Sequence, residues 1–269
     1  SVEAGAVLGD IGDTGQSHPF SKTLCAEIEK VIGYEIKGTE STPGMSDSIV
    51  QLIRSYRFGG ESGIASASLS VNEGDADRAL TVLQEAGHRD LQWRPLPLPK
   101  SLPRALKDRG LEEFHYPFQG RDPEEVFQHL ERFRILCALR EGPFGVSAVN
   151  LMVERLFREQ KLIRGEGRWY RGRPVLITQN DYTLHLYNGD IGIALPYAGE
   201  EGALRVFFQA PDGGLRAFHP VRLPQHETVY ALTVHKSQGS EFDRILLILP
   251  DRGSPVLTKE LLYTGITRA

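Results

Sequence analysis

Short apolar runs alternate with helical periodicity along most of this chain, and that alternation predicts an α/β protein. Ile135-Leu-Cys-Ala-Leu139 and Ile245-Leu-Leu-Ile-Leu249 are continuous apolar runs of strand length, the second closed by Pro250. Runs of this kind suit strands covered on both faces, as in a parallel sheet. After the first run, Arg140-Glu-Gly-Pro-Phe-Gly-Val-Ser147 reads as a turn, with Ser147 as an N-cap. Val149, Met152, Val153 and Leu156 then follow at i, i+3, i+4, i+7 spacing, a helix laid on the sheet. The glycines of the turn could bring backbone close to a phosphate, and a tight turn needs them equally. Further helices are predicted over Thr23–Gly33, Gly63–Val71, Ala76–Glu85 and Thr258–Ala269. Another starts at Asp122, with Pro123 at its first position and Glu124 and Glu125 at the positive end of its dipole.

Two stretches break the alternation. Residues 91–123 hold six prolines, at 95, 97, 99, 103, 117 and 123, which predicts a poorly regular insertion or a small helical excursion. Residues 168–230 carry short segments, Arg173–Thr178, Asp190–Leu195, Arg205–Gln209 and Leu215–Pro220, separated by Asn180-Asp, Asn188-Gly and Asp212-Gly-Gly. Strands of about 5–6 residues between such turns predict a small barrel. Arg168, Trp169, Tyr170, Arg171, Arg173, Tyr182, His185 and Tyr187 interleave cations with aromatics there. That mixture suits stacking on bases and pairing with phosphates, and it suits equally a half-buried barrel with snorkelling arginines.

Composition narrows the class only slightly. With 269 residues, 40% hydrophobic and 25% charged, the chain has room for one large or two modest domains. No apolar run approaches the roughly 20 residues of a membrane span, so no membrane role is expected. The two cysteines, Cys25 and Cys137, have no metal spacing and make no disulfide framework. They read as buried free thiols of a reducing, cytoplasmic compartment. A net charge of −4 argues against a globally basic nucleic-acid binder but leaves room for a local basic channel.

The densest chemistry lies in Thr233-Val-His-Lys-Ser-Gln-Gly-Ser-Glu-Phe-Asp243, just before the second apolar run. Imidazole, ammonium, hydroxyl and amide groups on consecutive positions make a poor core and a good anion grip. Together with Leu261-Leu-Tyr-Thr-Gly-Ile-Thr-Arg-Ala269, this run resembles motifs V and VI of superfamily 1 helicases. Ser55-Tyr-Arg-Phe58 resembles motif IV. Within superfamily 1B, the nearest resemblance is to the RecD family, the alpha subunits of bacterial exonuclease V, which share Arg140-Glu-Gly-Pro-Phe-Gly145. Ser1-Val-Glu-Ala-Gly-Ala-Val-Leu-Gly-Asp10 resembles the stretch that follows motif III, implying the C-terminal part of a longer protein.

The resemblance implies a RecA-like second motor domain of the P-loop NTPase fold, a parallel sheet with flanking helices, carrying an inserted SH3-like β-barrel. Residues 1–48 would end the first motor domain and connect. Residues 49–165 would form the first part of domain 2A, with 91–123 as its insertion. Residues 166–230 would be the barrel, 2B, and 231–269 the second part of 2A. Arg57 and Arg268 would be the cations for the γ-phosphate of ATP, a role that suits a planar, permanently charged guanidinium. Gly239 and Glu241 would lie near the nucleotide sugar. Thr233, His235, Lys236, Ser237 and Gln238 would hold the backbone of single-stranded DNA without reading bases, with Arg173 and Tyr187 contributing from the barrel.

The phosphate cradle, Gly-x-x-x-x-Gly-Lys-[Ser/Thr], is absent from these 269 residues, as is a Walker B acid. The isolated chain is therefore expected to bind ATP weakly and not to hydrolyse it. No resident metal is expected; ATP and Mg2+ would belong to the full-length protein. The resemblance implies an ATP-dependent 5′→3′ DNA helicase subunit in double-strand-break repair and recombination, partnered by single-stranded DNA and by the beta and gamma subunits of exonuclease V (RecB and RecC). The alternative is a non-enzymatic module that docks single-stranded DNA or protein.

Overall fold

The computed structural model describes residues 20–40, 46–50, 59, 62–85, 87–109, 111–120, 122–199 and 202–269. Arg57 and the motif IV resemblance lie outside the described residues, as does the opening stretch. The protein is α/β, with one parallel and one antiparallel sheet.

The parallel sheet has three strands in the order β7-β1-β8. Strand β1 (Phe133–Cys137) is buried at every position and lies between β7 (Ala231–Thr233) and β8 (Arg244–Ile248). Its register sets Ile135 against Ala231 on one side and Leu246 on the other. The helix Val146–Glu159 packs Val149, Val153, Leu156 and Phe157 onto this sheet, as its spacing predicts. Its N-cap is Gly145 rather than Ser147, whose hydroxyl instead donates to Glu141 at 2.9 Å. A Cβ on Gly145 would fall 2.4 Å from the Glu141 carbonyl oxygen, so the turn itself requires glycine there.

One edge of this sheet is finished by a side chain. Asn150, buried on the helix, donates from Nδ2 to the Ala231 carbonyl at 3.1 Å and accepts from the Ala231 amide at 2.8 Å. Buried backbone groups need partners, and here an amide side chain replaces a fourth strand.

The antiparallel sheet has five strands in the order β5-β4-β3-β2-β6. They are β2 (Pro174–Ile177), β3 (Ile191–Pro196), β4 (Leu204–Gln209), β5 (Leu215–Phe218) and β6 (His226–Thr228). Among the described residues this sheet is open: β5 and β6 are its edges and do not pair, so the expected closed barrel is not shown. Alternation explains why. Val175, Ile177, Ala194, Val206 and Phe208 make a small core of their own with Leu186. On the opposite face, Ile193 and Leu195 join the main core of the α/β unit. A sheet with both faces covered has no need to curl into a barrel to hide one of them.

The proline-rich region is partly irregular, as expected, over 91–98. Beyond that it folds into short helices, Leu102–Lys107 and Tyr116–Gln119, with a 3₁₀ turn at Leu111–Phe114 between them. Leu102, Leu106, Leu111, Phe114 and Phe118 all enter the main core, so the small helical excursion is also a structural wall. Helices Gly63–Glu73 and Ala76–Gln84 pack Ile64, Val71 and Ala79 against Ile266 of the terminal helix Lys259–Ile266.

Both cysteines are buried free thiols, Cys25 at 4% and Cys137 at 0% exposure. Burial pushes the Cys137 thiol up to about 12, so it carries almost no thiolate at neutral pH. Titration of the native protein with a chromogenic disulfide at neutral pH should therefore register neither thiol on the mixing timescale. Both should react in denaturant; rapid native labelling of Cys137 would show that the central strand is not sealed.

Candidate nucleic-acid and nucleotide clefts

The run Ala231–Asp243 leaves the C-terminal end of β7, crosses the top of the parallel sheet and enters β8. Thr233 ends the strand, and its Oγ1 accepts the Lys236 amide at 3.2 Å. His235–Ser237 form a single 3₁₀ turn, and Gly239 turns the chain at φ +85°, a conformation that favours glycine. Lys236, Gln238, Gly239 and Glu241 are exposed, and Thr233 and His235 are half-buried. Ser237 is fully buried, and its hydroxyl donates to the Val234 carbonyl at 2.8 Å. It shapes the turn from beneath.

On one side of this run is an open cleft of about 780 Å³ between the two sheets. Lys236 reaches it from β7 and Arg140 from the end of β1, while Arg168, Asn188, His226 and Glu227 line it from the antiparallel unit. Glu227 accepts from Arg140 Nη2 at 2.8 Å and from Lys236 Nζ at 3.1 Å. Burial alone would push its carboxyl up, but the bonds from Arg140 and Lys236 outweigh that and hold it below the usual carboxylate range. His226 is held below the usual histidine value, chiefly by burial and then by Arg168 and Arg173, against the bond of its Nδ1 to the Pro224 carbonyl. It is a neutral ring at physiological pH. The cleft's positive charge rests on Arg140, Arg168 and Lys236.

Arg173 and Tyr187 take opposite places. Tyr187 is exposed, with the still more exposed Tyr182 edge-on at 6.1 Å, next to Asn188 of the cleft wall. Arg173 is only 3% exposed. Its Nε and Nη2 donate to Thr228 Oγ1 at 3.1 and 3.0 Å, and its guanidinium lies 4.5 Å over Trp169. The Thr228 hydroxyl in turn donates to Glu154 at 3.3 Å, and Tyr170 donates to the same carboxylate oxygen. Arg173 thus fastens the antiparallel unit to the helix Val146–Glu159, and in this structure it does not face the cleft.

The later residues of the run, Glu241, Phe242 and Asp243, line a second open cleft, about 550 Å³, together with Gly59, Ser62, Ile64, Asp90, Glu131 and Ala269. Four carboxylates and no cation stand among these described residues. Arg268 lies next to it, donating from Nη1 to the Ser240 carbonyl at 3.1 Å and from Nε to the Thr264 carbonyl at 3.2 Å. The Phe242 amide donates to the Arg268 carbonyl at 2.9 Å. The polar run and the terminal helix are therefore stitched into one piece. Gly59 and Ala269 share this cleft, so the segment just after the motif IV stretch and the chain's last residue meet in one groove. Among the described residues no group of histidine, cysteine and carboxylate side chains could hold a metal ion, and no helix is long and apolar enough to cross a membrane.

The family model for the UvrD-like helicase C-terminal domain matches residues 228–269, the segment that walls both clefts. The RecBCD enzyme subunit RecD of Haemophilus influenzae is 34% identical over 289 aligned residues, which cover all of this chain and 43% of that protein. The RecBCD enzyme subunit RecD of Mycolicibacterium smegmatis is 35% identical over 269 residues, again all of this chain and 41% of that protein. The chain is a RecD homologue. It matches the C-terminal part of RecD and spans less than half the length of these relatives. The ATP-dependent RecD2 DNA helicase of Deinococcus radiodurans is 35% identical over 138 residues, 51% of this chain and 19% of that protein.

Several residues of this RecD homologue's basic cleft carry no motif signal in the sequence. Glu227 and His226 sit in a three-residue strand that only its pairing with β2 defines. Arg140 stands in a turn shared with the RecD family, but its nearness to Lys236 follows from the pairing of β1 with β7.

Proposed function

We propose that this chain supplies the second motor half of a RecD-type, ATP-dependent 5′→3′ DNA helicase. One observation carries the reading: a single loop, Thr233–Asp243, presents Lys236 to a basic cleft and Glu241–Asp243 to a second cleft beside Arg268. A motor needs that geometry, because the group that grips the strand and the group that senses nucleotide must move together. The three-stranded parallel sheet is the core of a RecA-like domain 2A, and the five-stranded sheet is the counterpart of the SH3-like 2B subdomain.

In this reading a single strand lies along the basic cleft, its phosphates met by Lys236, His235, Gln238 and Thr233, with Tyr187 available for stacking. Such contacts position a backbone without reading sequence. ATP with Mg2+ would be held by a phosphate cradle that these residues do not contain. Arg268 and Arg57 would then neutralise charge on the transferring phosphoryl group, with Gly239 and Glu241 near the sugar. The acidic character of the second cleft supports weak nucleotide affinity for this chain alone. The protein would act with RecB- and RecC-like partners in double-strand-break repair.

Titrating the 269-residue chain with labelled oligothymidylate at several salt concentrations tests the strand path. Binding should weaken as salt rises, with a log–log slope of about −0.7 for each phosphate neutralised. Retained binding without ATP turnover in a chimera completed by the N-terminal part of a RecD relative would favour the docking-module alternative. No binding at low salt would remove the strand path and leave only the protein-docking form of the alternative.

A further inference from the structure

Two of the three cations lining the basic cleft are already engaged by one anion. Glu227 gives Oε2 to Arg140 and Oε1 to Lys236, at 2.8 and 3.1 Å. Arg140 also has Glu141 at 3.8 Å from its Nε. A carboxylate with each oxygen on a different cation has the formal charge and acceptor pattern of a phosphodiester: one negative charge, spread over two oxygens. Glu227 is also the only carboxylate among the described residues lining this cleft. It stands on β6, an edge of the antiparallel sheet, whereas both cations follow strands of the parallel sheet. A carboxylate there is half-exposed, open to competition from solvent and from any incoming anion.

We propose that Glu227 is a resident substitute for a phosphodiester: it occupies the anion seat between Arg140 and Lys236 while the cleft is empty, and a single-stranded nucleic-acid backbone displaces it. This rests on the strand path described above and adds to it an exchange of anions. Because each cation leaves one anion for another, the net gain at this seat is small. A weak, quickly reversed grip suits a chain that must be released at every step. The exchange also removes one tie between the two sheets, so strand entry loosens the antiparallel unit from the parallel one on this side.

The test is Glu227→Gln in the 269-residue chain, measured by anisotropy with labelled oligothymidylate across a salt series, with Glu227→Asp alongside. Glutamine cannot hold two cations as an anion, so both stay available to phosphate. Affinity at low salt should rise about tenfold, and the salt slope should steepen by roughly 0.7–1.4, the contribution of one to two phosphates. Aspartate keeps the charge on a shorter stem and should fall between the two. If the parent chain binds and Glu227→Gln binds equally or more weakly with an unchanged slope, Glu227 is a structural tie and the exchange is overturned. If none of the three binds, the strand path itself fails. Thermal unfolding of each variant shows whether a change in binding follows a loss of fold.

Discussion

Replacing Arg268 with alanine, in a RecD chimera whose C-terminal part is this chain, should lower DNA-stimulated ATP turnover by roughly 10³-fold, the lower end for an arginine finger. Affinity for oligothymidylate should change by less than about twofold, because the arginine is bonded to Thr264 and Ser240 and does not line the basic cleft. Its Nη1 and Nε are on the Ser240 and Thr264 carbonyls, 3.1 and 3.2 Å away. Those neutral acceptors hold the guanidinium beside the second cleft, and a phosphate offers the same fork an opposite charge and a bidentate geometry that single carbonyls lack. Arg268→Lys separates the roles: it keeps the charge but loses the fork, and should leave Tm near the parent value while turnover stays low. Turnover within tenfold of the parent would remove Arg268 from the chemistry. A parallel loss of DNA binding would make it merely a stitch between the polar run and the terminal helix.

The largest effect on stability should come from Arg134, a cation with 2% exposure on the central strand. Its Nη1 donates to the Val229 carbonyl at 2.9 Å and its Nη2 to the Leu130 carbonyl at 3.2 Å, and its guanidinium lies over Phe242. Leu130 is in the last turn of the helix Pro123–Arg132, where carbonyls lack helical partners and a cation meets the negative end of the dipole. Burial pulls this guanidinium down to about 10, so the charge is held at a cost that its two carbonyls and the ring must offset. Arg134→Ala removes both bonds and leaves a cavity, and should destabilise the fold by about 3–5 kcal/mol, roughly 10 °C in Tm. Arg134→Met keeps the stem's packing and relieves the buried charge, so it should cost less. Chemical denaturation of both variants checks this; an alanine variant within about 1 kcal/mol of the parent would mean the guanidinium adds nothing net.

Apolar runs made β1 and β8 readable to within two residues, because a strand buried on both faces shows itself without help from its neighbours. Strand β7 hides in the polar run, since three residues carry no period, and β6 is a strand only because β2 pairs with it. The helices were legible from caps and spacing. Gly145 took the cap from Ser147 because a glycine was already required where the turn closes on Glu141. The exposed part of the site followed from motif resemblance, and its two clefts did not, because they are made by pairing between distant strands. Arg173 shows the limit of reading polarity as exposure. Its charge suggested a DNA contact, whereas Trp169 and Thr228 draw it into the seam between the units. The closed barrel expected over 166–230 is not shown, and the same seam bears on it: Ile193 and Leu195 look like ordinary inward residues until a second core claims them.

The amide of Asn150, clasped around Ala231, gives the parallel sheet a handedness of growth. A newcomer strand arriving beside β7 would find those hydrogen-bonding groups taken and would first have to pry a buried side chain loose. The flank of β8 has no such guard among the described residues.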